Sequence, residues 1–425
     1  MKRPWWNKCS LIRRYMPGEE GCTLAHIRTE LPELKAQGFG AIQITAPYAS
    51  AGFWPWWGLR PMDHFAVNSA LGGGYDDFRT LVSDAHAAGL RVLIFLNLGY
   101  ADTSSALWHA ACTPDSREST FFHWSDSNPN APADPFFKQG GDWHWSEEAG
   151  KHYWCKWALG GIFAPQFDWS SPEFCNYAES VLVHWLETGI DGVIVDAVNW
   201  YLNCSWSRIR KYVTDVVHRY PGVLCIPEGA GGFGEDPAAW ISEGRFDVSE
   251  DQPFHSDLHW NGSAILHAVS AADGSILTQG LHWCEQARRM GIPCWSYPSW
   301  GPDWTPPLRL LELAVLIGTG HMTEFLPSYY VDLNEQEHAA LRSLFRLGHQ
   351  PELSPGVLRE EIPVRGDGGW YACRSRAIVC LFRLSDAPGI ASINLPGRWH
   401  SLADNSDVTM SALYLPPFGY GFYTE

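Results

Sequence analysis

Gly189-Ile190-Asp191-Gly192-Val193-Ile194-Val195-Asp196-Ala197-Val198-Asn199-Trp200 is the stretch whose reading decides the fold. It opens on a glycine that can close a helix and then runs apolar through Val193, Ile194 and Val195. A short β-branched run between turn signals predicts a strand buried on both faces, as in parallel sheets. Asp196 stands where that strand ends, and a carboxylate there must be paired or employed. One strand-helix unit later, Val223-Leu224-Cys225-Ile226-Pro227 leads into Glu228 and then Gly229, Gly231 and Gly232. Two apolar strands that each end in a carboxylate fit a (β/α)8 barrel, whose active site gathers at the C-terminal strand ends.

The spacing also suggests a chemistry. Neighbouring strands lie roughly 4.8 Å apart. A retaining glycosidase holds its nucleophile and its acid/base about 5–5.5 Å apart. Taken singly, Asp196 and Glu228 also read as ion-pair or capping groups. Their recurrence at successive strand ends favours catalysis.

Working outward, Ser171-Pro172-Glu173 starts a helix with an N-cap and a first-turn proline. Phe174, Tyr177, Val181, Leu182 and Trp185 form its stripe. Upstream, strands are predicted at Ser10–Tyr15, Ala41–Thr45 and Arg91–Leu96. Helices are predicted from Leu24 to Gly38, across Pro32, and from Asp76 to Ala88. Pro47 to Gly74 reads as a long, functional loop. Between Gly99 and Phe167 the alternation stops, which reads as an irregular inserted subdomain. Downstream come a helix at Ile209–Arg219, a strand at Phe246–Ser249 with Glu250 and Asp251 at its end, and a helix at Ser275–Met290. A strand at Pro293–Pro298, a helix at Leu308–Ile317, a strand at His321–Phe325 and a helix at Glu335–Leu347 follow. After Pro351 short apolar runs such as Ala377-Ile378-Val379-Cys380-Leu381-Phe382 predict an all-β domain. The expected fold class is α/β: a (β/α)8 TIM barrel with an inserted subdomain after strand three and a C-terminal all-β domain. The boundaries expected are 1–98 and 168–350 for the barrel, 99–167 for the subdomain and 351–425 for a C-terminal β-sandwich.

Composition narrows the function. With 425 residues, 45% of them hydrophobic, the chain can bury a large core. A formal net charge of -17 argues against a nucleic-acid partner. The 23 tryptophans suit both sugar stacking and core packing. No apolar run reaches about 18 residues, so no transmembrane helix or membrane partner is expected. Met1-Lys2-Arg3 is basic, but no apolar signal core follows. The 11 cysteines are scattered and lack a CxxC pair, as in a cytoplasmic protein with reduced thiols. His109, His123, His144 and His152 lack metal-ligand spacing, so neither metal nor cofactor is expected. Nothing in the sequence fixes an oligomeric state.

Several stretches, in order, resemble the α-amylase family (glycoside hydrolase family 13) over nearly the whole chain. They are Gly58-Leu59-Arg60-Pro61-Met62-Asp63-His64-Phe65, the Leu81-to-Val92 helix and strand, Pro165-Gln166-Phe167-Asp168-Trp169, the Gly192-to-Asn199 strand, and Gly301-Pro302-Asp303. The resemblance implies Asp196 as nucleophile, Glu228 as general acid/base and Asp303 as the carboxylate that grips the sugar hydroxyls. Arg60, Tyr100, Asn199, Trp200, Trp300 and Trp304 are the expected substrate-binding residues. Asp63 reads as a structural loop residue, Asp191 as a cap or ion pair at the strand entrance, and Trp5, Trp6 and Trp185 as core.

The chain also departs from the family. Ile194 replaces the arginine two residues before the nucleophile. Leu59 and Arg60 replace a tyrosine and an aspartate, and Pro302 replaces a histidine. Gly99-Tyr100 replaces an Asn-His pair, which removes an asparagine often used for calcium. Arg60 reads either as a relocated positive charge or as a coincidence. The implied function is a retaining glycoside hydrolase or transglycosylase acting on an α-linked oligosaccharide or small glycoside. The alternative is a catalytically silent amylase-like protein that binds sugar or a partner.

Overall fold

The computed structural model describes residues 4–52, 58–127, 141–158, 162–229, 237–250, 264–297 and 304–425. Eight strands belong to one sheet: β1 (Leu11–Tyr15), β2 (Ala41–Thr45), β3 (Arg91–Asn97), β4 (Gly192–Asp196), β5 (Leu224–Pro227), β6 (Ser249–Glu250), β7 (Cys294–Ser296) and β8 (His321–Phe325). Their order is β5-β4-β3-β2-β1-β8-β7-β6, with parallel pairing, the pattern of a (β/α)8 barrel. The chain divides into two compact units. One holds Met1–Arg13, Leu34–Gly40 and Ser249–Glu425; the other holds Arg14–Glu33 and Ala41–Val248.

The second unit carries β2 to β5. β4 is buried at every residue, as its β-branched run predicts. Gly192 opens it because there is no room for more: a Cβ there would come 2.9 Å from Leu224 Cγ and 3.3 Å from Leu93 Cγ. Asp191, just before it, accepts hydrogen bonds from Arg91 (2.6 Å) and the Val92 N–H (2.9 Å) and pairs with His86 (2.7 Å). That is the structural role expected of it. The helix Pro172–Leu186 begins where its cap predicts, with Ser171 Oγ accepting from the Phe174 N–H at 3.2 Å. Trp185 in its stripe is fully buried.

Several expectations need correction. The helix read at Ile209–Arg219 is broken into Trp206–Ile209, a π-helical turn Arg210–Thr214, and Asp215–Val217. Residues 47–74 are not a bare loop, since Tyr48–Ser50 and Pro61–Val67 pair antiparallel within them. The inserted segment is not irregular. Trp124–Ser125, Gly141–Ser146, Lys151–Ala158 and Ile162–Pro165 form an antiparallel sheet. Its strands escape a polar/apolar reading because aromatic residues and histidines sit on both faces, as in Trp143-His144-Trp145. The sixth strand starts at Ser249 rather than Phe246. Even so, the Asp247 N–H donates to the Cys225 carbonyl at 3.0 Å and extends the ladder beside β5. Trp5 and Trp6 are only half-buried, on a 3-10 turn rather than in the core.

The first unit carries the helices Ser275–Arg289, Pro306–Thr319 and Glu335–Gly348, the last opened by a capping box between Asn334 and Glu337. It ends in antiparallel sheets. One runs Glu360–Glu361, Trp370–Ser375, Ile378–Arg383, Tyr420–Thr424, Trp399–Ser401 and Asp407–Val408; the other runs Val364–Arg365, Gly389–Ile393 and Leu413–Leu415. They enclose Trp370, Leu381, Ile393, Trp399 and Leu413 as a core of their own. This is the C-terminal all-β domain. Among the described residues no helix is long and apolar enough to cross a membrane.

Candidate active site

Register brings the two acids together. Asp196 pairs with Asn97 of β3, and Val195 pairs with Pro227 of β5, so Asp196 and Glu228 lie next in line on adjacent strands. The Glu228 N–H donates to the Val195 carbonyl (2.9 Å), and the Glu228 carbonyl accepts from the Val198 N–H (3.0 Å). Between them Ala197 adopts a left-handed conformation, φ 43° and ψ 47°. That geometry costs a non-glycine residue about 1–2 kcal/mol. It turns the Ala197 N–H onto Glu228 Oε2 at 2.6 Å. Asp196 is itself 6% exposed.

Three buried tyrosines surround Asp196. Burial, together with the negative charge of Asp196 close by, pushes the phenols of Tyr48, Tyr100 and Tyr201 well above their usual acidity range. Tyr100 feels Glu228 as well. The backbone of Asn97 beside Tyr48, and of Leu98 beside Tyr201, acts in the opposite direction. Among the described residues, neither the Tyr48 nor the Tyr201 hydroxyl meets hydrogen-bond geometry with a partner. Of the three, only Tyr100 is an expected site residue. Tyr48 follows β2 by three residues and Tyr201 follows β4 by five; the sole signal for them is that position after a barrel strand.

Around this cluster Asn97 organises the loop after β3. Its amide donates to the Leu59 carbonyl (2.7 Å), and its Oδ1 accepts from the Gly99 N–H (2.7 Å). Its carbonyl meets His64 Nε2 at 2.8 Å, while His64 Nδ1 lies 2.9 Å from the Tyr177 hydroxyl. Burial pushes His64 down to about 4, so it is the neutral tautomer, donating from Nε2 and accepting at Nδ1. Asp63 accepts from the Phe65 N–H at 2.9 Å, a local contact within the strand Pro61–Val67 rather than in a loop.

Arg60 is engaged within the protein. Its Nε lies 3.2 Å from Asp102 Oδ2, and its Nη2 donates to the Ala51 carbonyl at 2.6 Å. Its charge is therefore already matched. Asn199 and Trp200 lie on the 3-10 turn Val198–Trp200. Trp304 is buried, 7% exposed, two residues before the helix Pro306–Thr319. Asp303 and Trp300 lie outside the described residues.

A calcium ion takes oxygen ligands. Gly99 offers no side chain, and a Cβ there would meet the Tyr201 ring at 3.3 Å. Gln166 beside it presents its amide N–H to the Trp200 carbonyl at 2.6 Å. Among the described residues no group of three His, Cys, Asp or Glu side chains is arranged to hold a metal.

Comparison with known proteins identifies the family. The family model for the alpha-amylase catalytic domain matches residues 18–238, half of the chain. Trehalose-6-phosphate hydrolase of Escherichia coli K12 is 25% identical over 206 residues, 46% of this chain and 36% of that protein. Maltase A2 of Drosophila melanogaster is 21% identical over 288 residues, 64% of this chain and 46% of that protein. The chain thus matches less than half the length of these relatives. In fold, it resembles the alpha-amylase from H. orenii with a TM-score of 0.74, at 16% identity, covering 98% of this chain and 99% of that one. It also resembles Ttha1563 from Thermus thermophilus with a TM-score of 0.75, at 17% identity, covering 99% of this chain and all of that one. The sequence match spans both strand-end acids, and the chain belongs to the alpha-amylase family.

Proposed function

We propose that the protein is a retaining glycoside hydrolase or transglycosylase acting on an α-linked oligosaccharide or small glycoside. The observation that carries this reading is the seating of Asp196 and Glu228 on adjacent strand ends, with the Ala197 N–H on Glu228 Oε2. In this reading Asp196 attacks the anomeric carbon and forms a covalent glycosyl-enzyme. Glu228 protonates the departing oxygen. The backbone bond from Ala197 favours a lone pair on Oε2, so the proton resides on Oε1. Water or a second sugar, deprotonated by Glu228, then displaces Asp196 and restores the anomeric configuration. Asp303 is assigned to the hydroxyls of the reacting sugar. Asn199, Trp200, Trp300 and Trp304 are assigned to substrate binding. The relatives' printed activities, trehalose-6-phosphate hydrolase and oligo-1,6-glucosidase among them, support the substrate class.

The barrel at 1–98 and 168–350, the subdomain at 99–167 and the β-sandwich at 351–425 are the domain boundaries that go with this reading. All 11 cysteines are free and buried, which suits a reducing, cytoplasmic setting. The test is a panel of aryl α-glycosides and disaccharides offered to the wild type and to Asp196→Asn. Turnover of at least one substrate by the wild type, abolished in the variant, supports the reading. Equal turnover by both proteins would refute it.

A further inference from the structure

Gln166 is buried, 3% exposed, in the segment that closes the inserted sheet. That segment is stitched to the loop after β3 on one side. The Ala101 N–H donates to the Pro165 carbonyl (3.0 Å), the Phe167 N–H donates to the Gly99 carbonyl (2.9 Å), and Tyr100 bridges to Gln166. On the other side it meets the loop after β4. The Trp169 N–H donates to the Leu202 carbonyl (3.0 Å), and Asp168 accepts from Asn203 Nδ2 (3.1 Å). The Trp169 and Tyr201 rings stack at 4.6 Å and 10°. Between these two seams the Gln166 side chain reaches the turn that follows Asp196.

The contact begins a chain of bonds. Gln166 Nε2 donates to the Trp200 carbonyl at 2.6 Å. The Trp200 N–H donates to the Ala197 carbonyl at 2.8 Å. The Ala197 N–H donates to Glu228 Oε2 at 2.6 Å. Ala197 is the strained residue in this chain, and a left-handed alanine persists only where its surroundings hold it.

We infer that Gln166 is a positioning residue for the acid pair: its amide fixes the Val198–Trp200 turn and, through it, the Ala197 N–H on Glu228. The inference rests on the glycosidase reading for its kinetic consequence but not for its structural one. A side chain bridging an inserted sheet to the nucleophile's turn makes the geometry of the acids depend on how the insertion is seated. Packing alone would accept any apolar side chain of similar size at 166. Positioning requires the donor.

Two variants separate these roles. Gln166→Leu removes the donor, and Gln166→Glu keeps the shape while replacing the donor with an acceptor. Hydrogen exchange of the Trp200 and Tyr201 amides is measured well below the melting temperature, beside kcat and KM on an aryl glycoside that the wild type cleaves. In both variants we expect these amides to exchange at least tenfold faster, with kcat at least tenfold lower and KM within twofold. Wild-type exchange in either variant would overturn the inference. So would unchanged kcat in variants that differ only in melting temperature. Should the wild type cleave no glycoside, the glycosidase reading fails by itself, and the exchange rates still decide the role of Gln166.

Discussion

Ala197 donates its backbone N–H to Glu228 Oε2 at 2.6 Å while holding a left-handed conformation one residue past Asp196. The two strand-end acids are thus linked through the main chain. Ile194, in the middle of β4 two residues before Asp196, is fully buried.

Replacing either acid tests the coupling. Asp196→Asn is expected to fold normally and lose several orders of magnitude in kcat, because no covalent intermediate can form. Glu228→Gln is expected to lose as much on the natural substrate, and less on substrates whose leaving group needs no proton. NMR of the first product from the wild type is expected to show retention; net inversion would assign the acids other roles.

A second prediction concerns His64. Its pKa falls from 6.5 to about 4 because burial penalises the charged ring, with the Asn97 carbonyl and Asp63 acting in the opposite direction. The unfolded chain therefore binds more protons than the folded one between these values, and stability rises with pH across that window. The contribution is about 3 kcal/mol at most, present above pH 6.5 and lost as pH falls towards 4. Denaturation midpoints of the wild type and His64→Gln, compared from pH 4 to 7, are expected to differ most in slope. Partners of opposite sign, such as His218, raised by its hydrogen bond to Asp247, cancel in that difference. Parallel curves would show that His64 is not buried and neutral.

The third prediction separates stability from function at the phenols. Tyr48 and Tyr201 bury hydroxyls that fall short of full hydrogen-bond geometry, with the Asn97 and Leu98 backbones close by. Such a group costs roughly 1–3 kcal/mol. Tyr48→Phe and Tyr201→Phe are therefore expected to be as stable as the wild type or more so. If the hydroxyls serve substrate, the same variants lose at least tenfold in kcat/KM. A destabilised variant with full activity would reverse this assignment.

These residues also show what the sequence could and could not reveal. β4 and β5 were legible because a β-branched run ending in an acid fits little besides a buried strand with a working end, and parallel register then sets the acids side by side. Gly192 shows its reason only in the structure, and Gly192→Ala is expected to cost about 1–3 kcal/mol through overpacking against Leu224. Tyr48, Tyr201 and Gln166 were not legible as site residues. Their roles depend on loops whose paths are fixed by distant partners, and a buried tyrosine in a loop looks like any core aromatic. The inserted sheet was hidden for a related reason, since tryptophan fills core and surface positions alike. Arg60 read from sequence as a substrate charge, and its ion pair with Asp102, far along the chain, could not be read there.

The last prediction follows from that pairing. Leu59, Tyr100 and Ile194 are buried, and the resemblance to the family implies polar groups for the reacting sugar at their positions. A hydroxyl left without its partner costs roughly 1–3 kcal/mol, and each 1.36 kcal/mol is about tenfold in rate. Two or three such losses would slow a glucopyranosyl transfer on the order of a thousandfold. Starch, maltose and ordinary α-glucosides are thus expected to be poor substrates beside one whose ring or substitution suits the altered pocket. Arg60, matched by Asp102 and the Ala51 carbonyl, acts in this picture by holding its loop. Arg60→Ala is expected to lower kcat/KM by similar factors on every substrate and to destabilise the fold by leaving Asp102, 6% exposed, without its cation. A loss confined to anionic substrates would instead make Arg60 a direct ligand, and efficient maltose hydrolysis by the wild type would show that the pocket retains its glucose contacts.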